Sequence, residues 1–205
     1  MSLVRSSGWP GLGHCLPLVV LSIVGSYAIL AGRGEQPEGA SGGQEKQLIN
    51  RMDLSGFTII GIADRTSNQR EAGPGGIIPR QWQRFFAEGI VGKIADQAGP
   101  AIYALYTDYA QGRDGEYSFI IGVKVKAATA APSGMVAKQV AAGRYAVITS
   151  DKGPLSKVVP DAWRRVWQLE DEAKLERAYG TDFELYDERG KDPANGQVDL
   201  YVGVK

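Results

Sequence analysis

Glu184 and Glu188 flank Tyr186 in the run Asp182-Phe183-Glu184-Leu185-Tyr186-Asp187-Glu188. In an extended strand, side chains alternate between faces, so Glu184, Tyr186 and Glu188 share one face and Phe183, Leu185 and Asp187 the other. A carboxylate beside a phenol on an otherwise apolar strand suits two kinds of chemistry. It can hold an organic cation through charge and ring faces. It can also act as a general acid or base while the phenol donates a hydrogen bond to a developing oxyanion. A related pattern occurs earlier, where Tyr106 and Asp108 alternate with Leu105 and Glu116 opens the next apolar run. A cleft collecting Tyr106, Glu116, Glu184, Tyr186 and Tyr201 would be an aromatic box with acids. Such a box is a host for flat or cationic organic molecules.

These residues sit at matching places in a repeat. Pro79, Trp82, Phe85 and Phe86 recur 81 positions later as Pro160, Trp163, Val166 and Trp167. The first block continues through Leu105-Tyr106 to Ile121-Gly122-Val123-Lys124, and the second through Leu185-Tyr186 to Val202-Gly203-Val204-Lys205. Three features in one order at nearly one offset indicate an internal duplication, which places a ligand site at the interface between copies. The copies differ beside the tyrosine, with Ala104 two residues before Tyr106 and Glu184 two residues before Tyr186.

The elements that would position these groups follow from periodicity. Phe57 to Thr66 is a β-rich run, and Pro79, Trp82, Phe85 and Phe86 mark a helix with an apolar stripe. Ala101–Tyr109 and Tyr117–Val125 straddle a Gly-rich turn and read as a hairpin. The pattern restarts at Met135–Thr149 as a strand broken at Gly143. A helix follows near Ser156–Glu170, and a closing hairpin spans Phe183–Glu188 and Val198–Val204. Each copy, about 53–126 and about 134–205, is therefore strand, helix, strand, strand. Two copies give an α+β architecture, a mainly antiparallel sheet with two helices and a cleft between copies. Phe183 and Leu185 are expected to face the helices, with Glu184 turned away. Trp163 and Trp167 read as core, and Tyr103, Tyr109, Tyr117 and Tyr145 as cross-strand or half-buried rings.

Composition narrows the function. The chain has 205 residues, 43% hydrophobic, with 23 basic and 23 acidic side chains, so it lacks the positive footprint of nucleic-acid binding. Residues 16–31 are uncharged and apolar, the layout of a signal peptide or, uncleaved, of a membrane anchor. Residues 32–50 read as a flexible linker ahead of a domain at 51–205. The expectation is a protein secreted, periplasmic or anchored facing outward, touching membrane only through 16–31. His14 and Cys15, the one histidine and one cysteine, would be lost on cleavage. The mature domain would then hold no disulfide, no His or Cys metal site, no Cys nucleophile and no Ser-His-Asp triad, and no cofactor is expected.

Asp182-Phe-Glu-Leu-Tyr-Asp-Glu188 followed by Val198-Asp-Leu-Tyr-Val-Gly-Val-Lys205 resembles the closing hairpin of the gyrase-inhibitor-like family. This is the effector-binding domain at the C-terminus of many AraC-type and multidrug-sensing activators. Trp163-Arg-Arg-Val-Trp167 and Gly143-Arg-Tyr-Ala-Val147 look like the same family. The resemblance covers about residues 53–205 and implies a pseudo-twofold pair of modules with a ligand cleft. It also implies an acidic pocket residue, carried onto Glu184, and aromatic walls, carried onto Tyr186, Trp163 and Tyr201. Transcriptional members place a helix-turn-helix before this module, whereas here an apolar segment and a polar tether precede it. The expected function is binding of a small hydrophobic or cationic molecule outside the cytoplasm. The alternatives are a metal-independent hydrolase of strained-ring electrophiles using Glu184 and Tyr186, as some relatives resemble, or an envelope interaction protein.

Overall fold

A computed structural model of the chain describes residues 49–126 and 129–205. The expected signal or anchor at 1–31, His14, Cys15 and all but the end of the linker lie outside the described residues. No described helix is long and apolar enough to cross a membrane.

The first copy contains β1 (Asn50–Leu54), β2 (Phe57–Ser67), α1 (Asn68–Glu71), α2 (Ile78–Ala87), β3 (Gln97–Thr107) and β4 (Glu116–Val125). The second contains β5 (Val136–Val140), β6 (Gly143–Thr149), α3 (Leu155–Asp171), β7 (Thr181–Tyr186) and β8 (Asp199–Gly203). Eight strands form one antiparallel sheet in the order β1-β6-β8-β7-β3-β4-β2-β5. Read from either end, the order exchanges the two copies, so a pseudo-twofold axis passes between β3 and β7.

The sequence predicts three strands per copy, and the structure has four. Each copy gains a leading strand, and that strand pairs with the other copy: β1 with β6, and β5 with β2. Met135–Thr149 is thus two strands in opposite halves of the sheet, parted at Ala141-Ala142. The two pairings form one unbroken register, from Asn50 opposite Val147, through Leu54 opposite Gly143 and Phe57 opposite Val140, to Gly61 opposite Val136. Ser55-Gly56 and Ala141-Ala142 run past each other at the crossing, where a Cβ on Gly56 would stand 3.1 Å from the Val140 carbonyl oxygen.

Both faces of the curled sheet are apolar. One carries the helices and a core including Ile60, Ile62, Phe85, Phe119, Trp163 and Val166. The other holds Ile59, Leu105, Ile120, Val140, Tyr145 and Phe183. There Phe183 stacks on Tyr201 at 4.6 Å and meets Phe57 edge-on at 5.6 Å. This corrects the expected orientation of β7. Phe183 points away from the helices, and Glu184 and Tyr186 point toward them.

Helix α2 is tied down at two places. Glu71 accepts from the Ile77 and Ile78 amides at 2.9 and 3.2 Å, satisfying donors that the helix start leaves open. Gln81, buried in mid-helix, donates through Nε2 to the Ile62 and Phe119 carbonyls at 2.8 and 3.1 Å. Pro79 stands in the first turn of α2, where a missing N–H costs nothing. Its counterpart Pro160 lies inside α3, which begins earlier at Leu155.

Candidate functional site

Glu184 and Ala104 face each other directly across β7 and β3. The copies are offset by 80 residues at Tyr106 and Tyr186, and Ala104 with Glu184 is the registered pair separated by that same interval. The pair therefore lies on the pseudo-twofold axis, with a carboxylate on one side and a methyl group on the other.

Around the axis stand four rings in two crossed pairs. Trp163 of α3 packs edge-on against Tyr106 of β3 with centroids 4.8 Å apart and planes at 64°. Trp82 of α2 packs against Tyr186 of β7 at 4.9 Å and 66°. Each helix thus delivers its tryptophan to the tyrosine of the other copy, and the two pairs match in distance and angle. Phe86, 41% exposed, stacks on Trp82 at 5.7 Å and forms the outer edge of this group.

Glu184 is 2% exposed and accepts three hydrogen bonds from neutral donors. Tyr106 and Trp163 Nε1 donate to Oε1 at 2.7 and 2.6 Å, and Tyr186 donates to Oε2 at 2.7 Å. Burial pushes the Glu184 carboxyl above its ordinary range, while the bonds from Trp163, Tyr186 and Tyr106 pull the other way without reversing it. Burial, and then the charge of Glu184, hold the Tyr106 and Tyr186 phenols well above the usual value, so both remain protonated donors.

A second buried carboxylate has a different environment. Asp182, on the same face of β7 and 0% exposed, takes Arg177 Nη2 at 2.5 Å, the Tyr109 hydroxyl at 2.8 Å and the Gly203 amide at 2.7 Å. Arg177 is itself 4% exposed. Its guanidinium is held charged, because the Asp182 and Tyr109 interactions outweigh a desolvation that works against the cation. Asp182 has a cation and Glu184 has only neutral donors.

Four of the residues expected to line the site come together here: Glu184, Tyr186, Tyr106 and Trp163. Tyr201 lies on the opposite face, stacked on Phe183. Glu116 opens β4 with its side chain 68% exposed and 3.6 Å from Arg65. Glu188 falls in a short 3-10 turn after β7, paired with Lys191. At the place of the expected cleft the four rings and the acid pack against and hydrogen-bond one another. Two surface depressions, of about 360 and 320 Å³, lie elsewhere, the first beside Arg113, Glu170 and Tyr179 and the second beside Arg51, Arg144 and Lys174. Among the described residues, no three His, Cys, Asp or Glu side chains gather as metal ligands.

A family model described as an integron-associated effector binding protein, Cass2, matches residues 52–204, a span that includes both tryptophans, both tyrosines and the acid. The chain belongs to this effector-binding family. YobU of Bacillus subtilis (strain 168), whose name proposes a transcriptional regulator, is 31% identical over 158 residues, 77% of this chain and 96% of YobU. The transcriptional regulator BrlR of Pseudomonas aeruginosa is 35% identical over 155 residues, 75% of this chain, and the match spans 54% of BrlR. Among solved structures, the integron cassette protein VCH_CASS2 from the mobile metagenome of Vibrio cholerae is 27% identical with a TM-score of 0.59, covering 76% of this chain and 95% of that one. SAV2435, solved bound to tetraphenylphosphonium, has the same fold at 22% identity and a TM-score of 0.62, covering 76% and 93%.

In this effector-binding domain, sequence reasoning missed Trp82, Asp182 and Arg177. The repeat carried the signal for Trp82, since it aligns with Trp163 and must occupy the equivalent place about the axis. Asp182 shares the strand face of Glu184 by simple alternation. Arg177 had no signal, because it lies in the irregular segment between α3 and β7.

Proposed function

We propose that this domain binds a hydrophobic organic cation in the four-ring cage, with Glu184 as counter-ion. One observation carries the reading. Of the two carboxylates buried on β7, Asp182 is neutralised by Arg177, and Glu184 is offered no cation by the protein. Ionised, Glu184 would be an uncompensated buried charge, which is costly, and a ligand cation would offset that cost. Trp82, Trp163, Tyr106 and Tyr186 supply ring faces, whose negative potential attracts a desolvated cation. The tetraphenylphosphonium complex of SAV2435, a protein of the same fold, supports a bulky aromatic cation as the ligand type.

Entry requires the cage to open, since Glu184, Tyr186 and Trp163 are buried. Trp82 and the half-exposed Phe86 form its outermost wall, so their displacement admits the ligand. The role that fits is sensing or sequestering such compounds. The apolar run at 16–31 supports export or outward anchoring, which N-terminal sequencing of the fractionated native protein checks.

The decisive experiment titrates the protein with tetraphenylphosphonium and with neutral triphenylphosphine oxide, read by calorimetry and thermal shift. The cation binds, the neutral compound binds at least tenfold more weakly, and Glu184→Gln abolishes the difference. Equal binding of both compounds, or undiminished binding by Glu184→Gln, overturns the reading. Turnover of an epoxide or cyclopropane substrate, lost in both Glu184→Gln and Tyr186→Phe, would instead establish the hydrolase alternative.

A further inference from the structure

Asp182 and Glu184 project from the same face of β7 two residues apart, which separates them by about 7 Å along the strand. Their surroundings are built alike. Glu184 is met by Trp163, Tyr106 and Tyr186. Asp182 is met by Tyr109 and by a cation, Arg177, whose guanidinium carbon lies 4.3 Å from the Tyr179 ring centroid, 5.8 Å from Tyr109 and 5.9 Å from Trp163. Trp163 belongs to both groups, donating its N–H to Glu184 and lying beside Arg177. The interior therefore contains two adjoining anionic cages that share one indole.

The backbone fixes Arg177 in place. Its residue forms a bridge with Val204, and the following Ala178 amide donates to the Gly203 carbonyl at 2.8 Å. Gly203 in turn donates its own amide to Asp182. The guanidinium is thus delivered to the second cage from the end of β8, and its aromatic neighbours shield it from solvent.

We propose that Arg177 is a resident cation that fills the second cage and so restricts the Glu184 cage to ligands with a single positive charge. The inference rests on Glu184 being the counter-ion of a cationic ligand. A second ligand charge brought to Asp182 would have to take the place of the Arg177 guanidinium, 2.5 Å from that carboxylate, and so meets it at contact, whereas a charge at Glu184 stands roughly 7 Å away. Arg177 also stands 3.6 Å from the partly exposed Glu170, and a monocation at Glu184 gives each buried carboxylate of β7 one facing cation. A ligand carrying a second charge toward Asp182 meets Arg177 already there.

Benzyltrimethylammonium and p-xylylene-bis(trimethylammonium) differ in the number of charges and provide the test, by calorimetry on the full chain. The native protein binds the monocation at least tenfold tighter than the dication. Arg177→Gln vacates the second cage and shifts this ratio toward the dication by tenfold or more. Adding Asp182→Asn to that variant removes the second counter-ion and returns the ratio to its native value. A ratio unmoved in Arg177→Gln, while native monocation binding still depends on Glu184, overturns the role of Arg177 alone. Native monocation binding that is absent, or equal in Glu184→Gln, overturns the cationic reading and this inference with it. The native ratio needs no variant: a dication bound as tightly as the monocation refutes the proposal even if Arg177→Gln fails to fold.

Discussion

Ala104 and Glu184 are cross-strand partners and also counterparts in the internal repeat, so one position on the pseudo-twofold axis bears a methyl group and its mate a carboxylate. The two tryptophan–tyrosine pairs around them match in spacing, at 4.8 and 4.9 Å. The cage is twofold in its rings and single in its charge. The small side chain at Ala104 leaves room for the acid to lie across the axis and collect donors from both copies, Tyr106 from one and Tyr186 and Trp163 from the other.

If the cage is twofold, the acid can be moved across the axis. Ala104→Glu combined with Glu184→Ala is expected to fold and to bind tetraphenylphosphonium within about tenfold of the native protein, one tenfold step being about 1.4 kcal/mol. Glu184→Ala alone is expected to lose binding. Calorimetric titration of the three proteins decides the matter, and a transposed variant no better than Glu184→Ala would show that the two sides of the cage are not equivalent.

Glu184 also makes stability depend on pH. Its folded-state pKa is raised, so its favourable contribution is complete below the unfolded carboxyl range, near 4.3, and is lost as pH rises through the folded value. Glu184→Gln carries no such loss. The melting temperature of the variant relative to the native protein should therefore climb from about pH 4 toward neutrality, by roughly 2–4 °C for each kcal/mol. A difference that stays flat across this range in scanning calorimetry would mean that Glu184 is not held in its neutral form.

Breaking the Arg177–Asp182 pair should be far costlier than deleting it. Arg177→Met leaves Asp182 buried and uncompensated, for an expected loss of about 3–5 kcal/mol in urea unfolding. Adding Asp182→Leu removes that charge and should recover more than half of the loss, since apolar replacements of buried pairs are often neutral. A double variant as unstable as the single one would place the cost in packing instead of charge.

Glu71 holds the start of α2, the helix that brings Trp82 to the cage. Glu71→Ala should cost about 1 kcal/mol, the usual worth of a helix cap. Hydrogen exchange should quicken at the Ile77 and Ile78 amides, with no comparable change in α3. Unaltered protection of those two amides would show that α2 does not depend on this carboxylate.

Much of this arrangement was legible in the sequence, and the failures have physical causes. The Trp82 and Trp163 spacings gave both helices, and the asymmetry between Ala104 and Glu184 singled out Glu184. Alternation along β7 separated Glu184 from Phe183 but could not say which face the helices cover. A strand with phenylalanine and leucine on one side suggests a core there, and in this curled sheet both sides are core. Trp82 looked like packing because an indole at helical spacing is ordinary in a core, and its contact with Tyr186 depends on the crossing of copies. Tyr201 was carried in by the family resemblance as an aromatic wall, yet its registered partner is Phe183, on the far face. The leading strands β1 and β5 were missed as separate elements because a strand's own residues do not name its partner.

The exchange of those leading strands bears on how such a molecule can be taken apart. The ladder from Asn50–Gly61 to Val136–Val147 means that neither copy owns a complete half of the sheet. A gene encoding one repeat alone would produce a chain whose first strand has nowhere to lie except in a second molecule. Two such chains would clasp each other by the same ribbon. The present protein is in that sense an interlocked dimer written as one polypeptide, and joining the halves is what freed one side of the axis to carry an acid that the other side lacks.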